Sequence, residues 1–282
     1  MNLAKPRATF VEDGLHTDVH GDGNAPGLLL VHGFLSSRAQ WTPNLHALAA
    51  VSTPVVVELL GHGRSHAPTK AHEYSVARYL QRLEAIRKRL GLEHWFVCGQ
   101  SFGAGLTLRY AIEHPHRVLG QAFTNSLSAL SMLGGDAASR MRAGERIEHG
   151  GRTELQAMPA YPKPSRRLPE ETSQALLADA ALLSPVGVAN ALRATLPGLC
   201  VVDELHRLRV PGLLVNGARE TKFQPLRDLA SRKISALQIT DVADGSHAVN
   251  LDAHAAFNAA LIAFMQAHAV AATRPTGMSI RQ

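Results

Sequence analysis

The chain has 282 residues, 45% hydrophobic and 18% charged, the balance of an ordinary globular protein whose core needs no disulfide or metal staple. Formal charge is +6 with a pI near 9.7, yet the basic residues are interleaved with acids and aromatics make up only 5%. This excludes the clustered basic face of a nucleic-acid binder and leaves an anionic small substrate as one option. Cys98 and Cys200 form no framework and read as packed thiols in a reducing compartment. The start, Met1 to Arg7, lacks the apolar stretch of a signal peptide, and no apolar run is long enough to span a bilayer. The expectation is a cytoplasmic protein with no membrane attachment.

In chain order, residues 8–11 and 15–20 alternate around Asp13-Gly14 and predict an antiparallel hairpin. Gly27 to Val31 is a continuous apolar run, typical of a central parallel strand, and ends in His32-Gly33-Phe34-Leu35-Ser36-Ser37. Trp41, Leu45, Leu48 and Ala49 follow with helical spacing, then a strand, Pro54 to Glu58, that ends in Gly61-His62-Gly63-Arg64-Ser65. Residues 75–90 predict an amphipathic helix, with Val76, Leu80, Leu83, Ile86 and Leu90 on one face and Gly91 stopping it. A strand at 94–98, a helix at 102–113 and a strand at 118–124 come next. From Ser126 to about Leu199 the alternation lapses into short helical patterns, 136–148 and 171–183, separated by Gly150-Gly151 and the proline-rich Pro159 to Pro169. A stretch this long predicts a helical insertion over the core rather than a loop. Strands at 212–215 and 236–240, a helix near 225–232 and a last helix at 252–268 resume the rhythm, and the tail after Ala271 is expected to fray.

Alternating strands and helices imply a mostly parallel sheet covered on both faces, an α/β fold with function gathered at the carboxyl ends of its strands. The expected organisation is one discontinuous core, 1–125 and 200–270, with a cap at 126–199 and a tail at 271–282.

Gly99-Gln100-Ser101-Phe102-Gly103 stands between an apolar strand and a helix, where a sharp turn holds the serine above the sheet edge. A serine hydroxyl needs a base and a group that orients the base. His247, in Gly245-Ser246-His247 between the last strand and the last helix, is the candidate base. Glu220, on the loop after strand 212–215, is the candidate acid, against an ordinary ion pair with Arg219 or Lys222; Asp203, Asp241 and Asp244 are the alternatives. Asn125 cannot supply the charge a protonated imidazole needs. The backbone amides of Phe34 and Phe102 are the candidate oxyanion donors, with His32 bracing the first of these loops. His62 and His66 have a ligand-like spacing, but the flanking Gly61 and Gly63 disfavour a helix there, and no cluster predicts a metal.

These motifs together resemble the α/β-hydrolase superfamily over nearly the full length, including its order of serine, acid and histidine. The resemblance implies about eight strands, the 126–199 insertion as a lid, and no cofactor. Glu58 and Glu220 stand where many members carry aspartate. Within the superfamily, His32 to Trp41 and Glu220-Thr221-Lys222-Phe223 are similar to the menaquinone-pathway succinyl-hydroxycyclohexadiene-carboxylate synthases, which use the serine as a base. The arginine which that group carries four residues after its serine is Gly105 here, and its tyrosine before the serine is Gln100.

The function expected is a serine hydrolase of a small acyl compound, an ester, lactone or thioester, with a carbon–carbon bond hydrolase as a variant. A lyase or cyclase using the same residues for proton transfer is the second class, and a hydrolase-like binding protein the third. Leu35, Trp41, Gln100, Met132, Leu133 and Met158 are the expected pocket residues, with Phe34 and Phe102, and Arg140, Arg142 and Arg146 fit either its entrance or a solvated face. The partner is a small molecule, and the sequence leaves the oligomeric state open.

Overall fold

The strands that read as unbroken apolar runs, Gly27–Val31 and Trp95–Gly99 among them, are buried on both faces. The computed structural model describes residues 5–131, 136–165 and 167–269, so the tail from 271 and the pocket candidates Met132 and Leu133 lie outside the described residues. Eight strands, β1 (Ala8–Glu12), β2 (Leu15–Val19), β3 (Gly27–Val31), β4 (Thr53–Val57), β5 (Trp95–Gly99), β6 (Val118–Thr124), β7 (Gly212–Gly217) and β8 (Leu237–Val242), form one sheet. Their order is β1-β2-β4-β3-β5-β6-β7-β8. β2 pairs antiparallel with both β1 and β4, and the remaining pairs are parallel.

Successive side chains of a strand point to opposite faces, and each face here has its own core. Leu29, Val31, Val55, Val57, Val97, Phe123 and Leu214 face one layer, which contains α2 (Val76–Arg89), α3 (Phe102–Glu113) and α8 (Gln224–Lys233). Leu28, Leu30, Val56, Phe96, Cys98, Leu213 and Val215 face the other, with α1 (Thr42–Ala49) and α10 (His254–His268). Ser75 caps α2 by accepting from Arg78 N, and Gly91, at φ +66, follows its end in the left-handed region. The last predicted helix, 252–268, is α10, and a four-residue helix that the sequence reading did not include, α9 (Val249–Asp252), precedes it.

Between β6 and β7 the chain forms α4 (Leu127–Leu130), α5 (Ala137–Ala157), α6 (Glu170–Ala180) and α7 (Pro185–Asn190), the last continuing through a wide π-helical turn, Ala191–Thr195, and a 3₁₀ turn to Gly198. The expected break at Gly150-Gly151 is present: Gly151 takes φ 57 and ψ −132, and the kink there divides Ala137–Ala157 into two helices. Ile147, Leu155, Ala180, Leu183, Val188 and Ala189 cluster against Leu35, so these helices lie over the loop after β3. Polar tethers fix them there: Ser184 N donates to Gly61 O at 2.9 Å, and Asn190 Nδ2 to Thr69 O at 3.1 Å. Asp179 accepts from Ser37 Oγ at 2.7 Å and from Arg64 at 3.0 Å. At the root of the insertion Val201 N donates to Ala129 O at 2.9 Å. Among the described residues no single helix is long and apolar enough to cross a membrane.

Candidate active site

The parallel register lines up the carboxyl ends of the strands: Val31 opposite Gly99, Gly99 opposite Phe123, Thr124 opposite Val215, and Gly217 opposite Val242. The segments that leave those ends carry Phe34, Ser101, Asn125, Glu220 and His247.

Ser101 sits at φ 50 and ψ −111, a backbone region that L-residues rarely enter and that costs about 1–3 kcal/mol. Neighbours without side chains permit the turn: a Cβ at Gly99 would strike the Gly103 carbonyl, and one at Gly103 would stand 2.7 Å from His32 O. Hydrogen bonds hold the strained residue: Gly103 N donates to Gln100 O at 2.8 Å and Ser126 Oγ to Ser101 O at 2.6 Å.

The His247 ring lies between Ser101 and Glu220. Its Nε2 is 2.9 Å from Ser101 Oγ, and its Nδ1 is 2.9 and 3.0 Å from the two Glu220 oxygens. An ionised carboxylate only accepts, so Nδ1 carries the proton and Nε2 is left to accept from the serine hydroxyl. Burial raises the Glu220 carboxyl, but the hydrogen bond and charge of His247, with a further hydrogen bond from Asn125, outweigh it and hold the carboxyl below its ordinary value. The alternative acids lie elsewhere: Asp241 binds Asn216 and Arg227, Asp203 faces Lys233, and Asp244 is exposed. Among the described residues Glu220 forms its ion pair with His247, not with Arg219 or Lys222.

Sequence reasoning set Asn125 aside because it carries no charge, and it never weighed Ser126. Asn125 is fully buried, donates to Gly217 O and accepts from Gly217 N, both at 2.9 Å, and so anchors the Glu220 loop to the end of β6. Two polar residues in succession just after an apolar strand are the signal that could have found them.

The Phe34 and Phe102 rings stack at 5.3 Å and 26°, and neither backbone amide has a protein acceptor among the described residues. Two buried histidines brace the Phe34 loop. His32 donates from Nδ1 to Gly33 O at 2.7 Å and accepts from Leu59 N at 3.0 Å. His62 accepts from Leu35 N at 3.2 Å and donates from Nδ1 to Leu60 O at 3.0 Å. Burial pushes both imidazoles down, His32 to about 3 and His62 to about 4, so both are neutral. Two loops thus present free amides beside a hydroxyl linked to an imidazole and a carboxylate, an arrangement suited to acyl transfer.

A family model described as alpha/beta hydrolase fold matches residues 26–145. The enol-lactonase from Burkholderia xenovorans LB400 superposes with a TM-score of 0.78 at 19% identity, covering 92% of this chain and all of that one (100%). The chain has the α/β-hydrolase fold. MenH from S. aureus has the same α/β-hydrolase architecture, at TM-score 0.76 and 16% identity over 90% of this chain and 98% of its own. A protein of Bacillus subtilis (strain 168) named as a 2-succinyl-6-hydroxy-2,4-cyclohexadiene-1-carboxylate synthase is 26% identical over 252 residues, 86% of this chain and 92% of that one.

The expected pocket residues separate within this α/β-hydrolase fold. Trp41 is corrected: it is fully buried on the face of α1 and α10, 6.1 Å from the Phe257 ring, because its helical spacing turns it into the core. Leu35 is likewise filled in, packed against the 127–198 helices, and Met158 flanks the same cluster. Gln100 adjoins the site, with Nε2 donating to His247 O at 3.2 Å. Arg142 and Arg146 are exposed and bonded to Ser139 and Glu154. A cavity of about 400 Å³ lies away from Ser101, between β2, α1 and α6, lined by Asp18, Arg38, Arg64 and Asp179 among others. Among the described residues no group of three or more His, Cys, Asp or Glu side chains could hold a metal ion.

Proposed function

We propose that the protein is a serine hydrolase of a small, neutral acyl compound, an ester, lactone or thioester. Ser101 Oγ attacks the acyl carbonyl while His247 Nε2 takes its proton, and Glu220 stabilises the imidazolium that forms. The Phe34 and Phe102 amides hold the oxyanion, and such donors contribute about 3–4 kcal/mol each by precedent. The carbonyl re-forms, the C–O or C–S bond to the leaving group breaks, and His247 returns the proton to that group. Water, deprotonated by His247, then attacks the acyl-serine and frees the acid and the serine hydroxyl.

The observation that carries this reading is the unbroken line from Ser101 Oγ through both ring nitrogens of His247 to Glu220, every contact at 2.9–3.0 Å. The 126–199 segment serves as the cap, its apolar cluster packed on the Phe34–Leu35 loop supporting an apolar acyl site. Gly105 supports a neutral acyl compound: a Cβ there would stand 2.8 Å from Leu199 Cβ, so this position has no room for an anion-binding arginine. A cytoplasmic location and a small-molecule partner belong to the same reading.

A second reading, a lyase that moves protons without an acyl-enzyme, is favoured by the Bacillus subtilis relative. One pair of measurements separates the two. A fluorophosphonate probe is expected to add to Ser101 in the wild type and not in Ser101→Ala, and turnover of p-nitrophenyl butyrate in H₂¹⁸O to place one ¹⁸O in the butyrate. An unlabelled Ser101 with no ester turnover would sink the hydrolase reading.

A further inference from the structure

The loop that carries Phe34 and the loop that carries His247 come from opposite ends of the chain, and buried amide side chains join them. Gly33 N, immediately before Phe34, donates to Gln40 Oε1 at 3.0 Å. Gln40 lies in the short turn Arg38–Trp41 and is 2% exposed. It meets Asn250 twice: Gln40 Nε2 donates to Asn250 Oδ1 at 3.4 Å, and Asn250 Nδ2 donates to Gln40 O at 3.2 Å. Asn250 is fully buried in α9, three residues after His247. From the far side Asn44 of α1, also fully buried, donates to Asn250 O and to Asn258 Oδ1, both at 2.9 Å.

These amides sit beside Trp41 and Phe257, where apolar side chains would avoid the desolvation cost of buried polar groups. What apolar packing lacks is direction: each hydrogen bond accepts one geometry, so a paired network fixes how two loops stand to each other. Acyl transfer needs that fixity, because the oxyanion donor and the base must meet one carbonyl at 2.7–3.1 Å, and an error of about 1 Å costs roughly 100-fold in rate.

We infer that Gln40 and Asn250 are positioning residues, whose paired amides hold the Phe34 amide and the His247 ring in register across the reacting carbonyl. The inference rests on Ser101 acting as the nucleophile.

The test compares Gln40→Met and Asn250→Leu with the wild type on p-nitrophenyl butyrate, alongside Tyr110→Phe as a stability control. Tyr110 accepts from Trp95 Nε1 at 3.2 Å and bonds Glu84 in the opposite core, away from both loops. Each amide variant is expected to lose about 10-fold or more in kcat with KM within about twofold, given what such misplacement costs. Fluorophosphonate labelling slows by a similar factor, the double variant falls little below either single one, and Gly33 amide exchange accelerates in Gln40→Met. Tyr110→Phe lowers the thermal midpoint and keeps kcat.

Folded variants with wild-type kcat and wild-type Gly33 exchange would overturn the inference. So would losses that merely follow the thermal midpoint, as in the control. If Asn250→Leu fails to fold, Asn250→Asp, which keeps the shape and removes the donor to Gln40 O, takes its place with the same expectations. A wild type that neither labels nor turns over ester removes the nucleophile reading and the positioning role with it, whereas normal labelling in both variants removes the positioning role alone.

Discussion

At Ser101 the backbone and the chemistry make opposite demands. A φ of 50 is open to glycine but strains any residue with a Cβ, so Ser101→Gly and Ser101→Ala, which both lack the hydroxyl, should differ in stability. Ser101→Gly is expected to be the more stable by about 1 kcal/mol in urea unfolding, and equal midpoints would mean the turn stores no strain. Glu220→Gln keeps the shape beside Nδ1 but removes the charge that an imidazolium needs. It is expected to lower kcat by up to roughly 10⁴-fold with little change in KM, the size of effect known for the analogous aspartate-to-asparagine change in serine-protease triads, as measured by ester turnover. Ser101, Glu220 and His247 were legible because each lies on the segment that leaves a predicted strand, and strand ends meet at one edge of a parallel sheet. The amides of Gln40, Asn44 and Asn250 were not. A polar residue in a helical pattern reads as solvent-facing, and only the packing of α1 against α9 and α10 turns these inward. Trp41 misled for the converse reason, since its nearness in sequence to Phe34 says nothing of which face of the sheet it enters.

At the scale of elements, strands and long helices were readable from period alone: α2 and α3 stand within a residue of the predicted bounds, and β6 matches them. The segment between β6 and β7 was less so. Its helix from Pro185 was missed because proline and glycine look like breakers, yet Pro185 occupies the first turn, where a missing N–H is harmless, and Ser184 caps it by accepting from Gly187 N. Beside the packing of Leu176 on Ala39 and Leu251, α6 is tied down by one carboxylate, Asp179, which meets Ser37 of the β3 loop and Arg64 of the β4 loop. Arg64 keeps Glu58 as a second partner, and over a third of its side chain is exposed, so the loss on truncation is moderate. Asp179→Ala is expected to cost about 1–2 kcal/mol and to quicken tryptic cleavage within 137–198 before the core is cut. Uniform proteolysis, or none above wild type, would show that the apolar cluster around Leu35 suffices.

Across the whole molecule, the two neutral histidines under the Phe34 loop make stability depend on pH. Unfolded, each imidazole binds a proton below its ordinary value of 6.5; folded, His62 resists until about 4 and His32 until about 3. The unfolded chain therefore holds more protons in that window, and stability falls as pH drops from 6.5 towards 4. The thermal midpoint should be flat above pH 7 and decline below it, and His62→Gln, which keeps an acceptor near Leu35 N, should flatten the decline. A midpoint unchanged between pH 7 and 5 would contradict this.

Where the chain leaves the sheet after β6 and where it comes back before β7, the two paths touch: Val201 N bonds Ala129 O. Some seventy residues thus depart and return through a single doorway. Exchange or reshaping of everything beyond that threshold need not stretch the distances among residues 101, 220 and 247, so a lineage can trade one substrate for another and leave its proton path untouched.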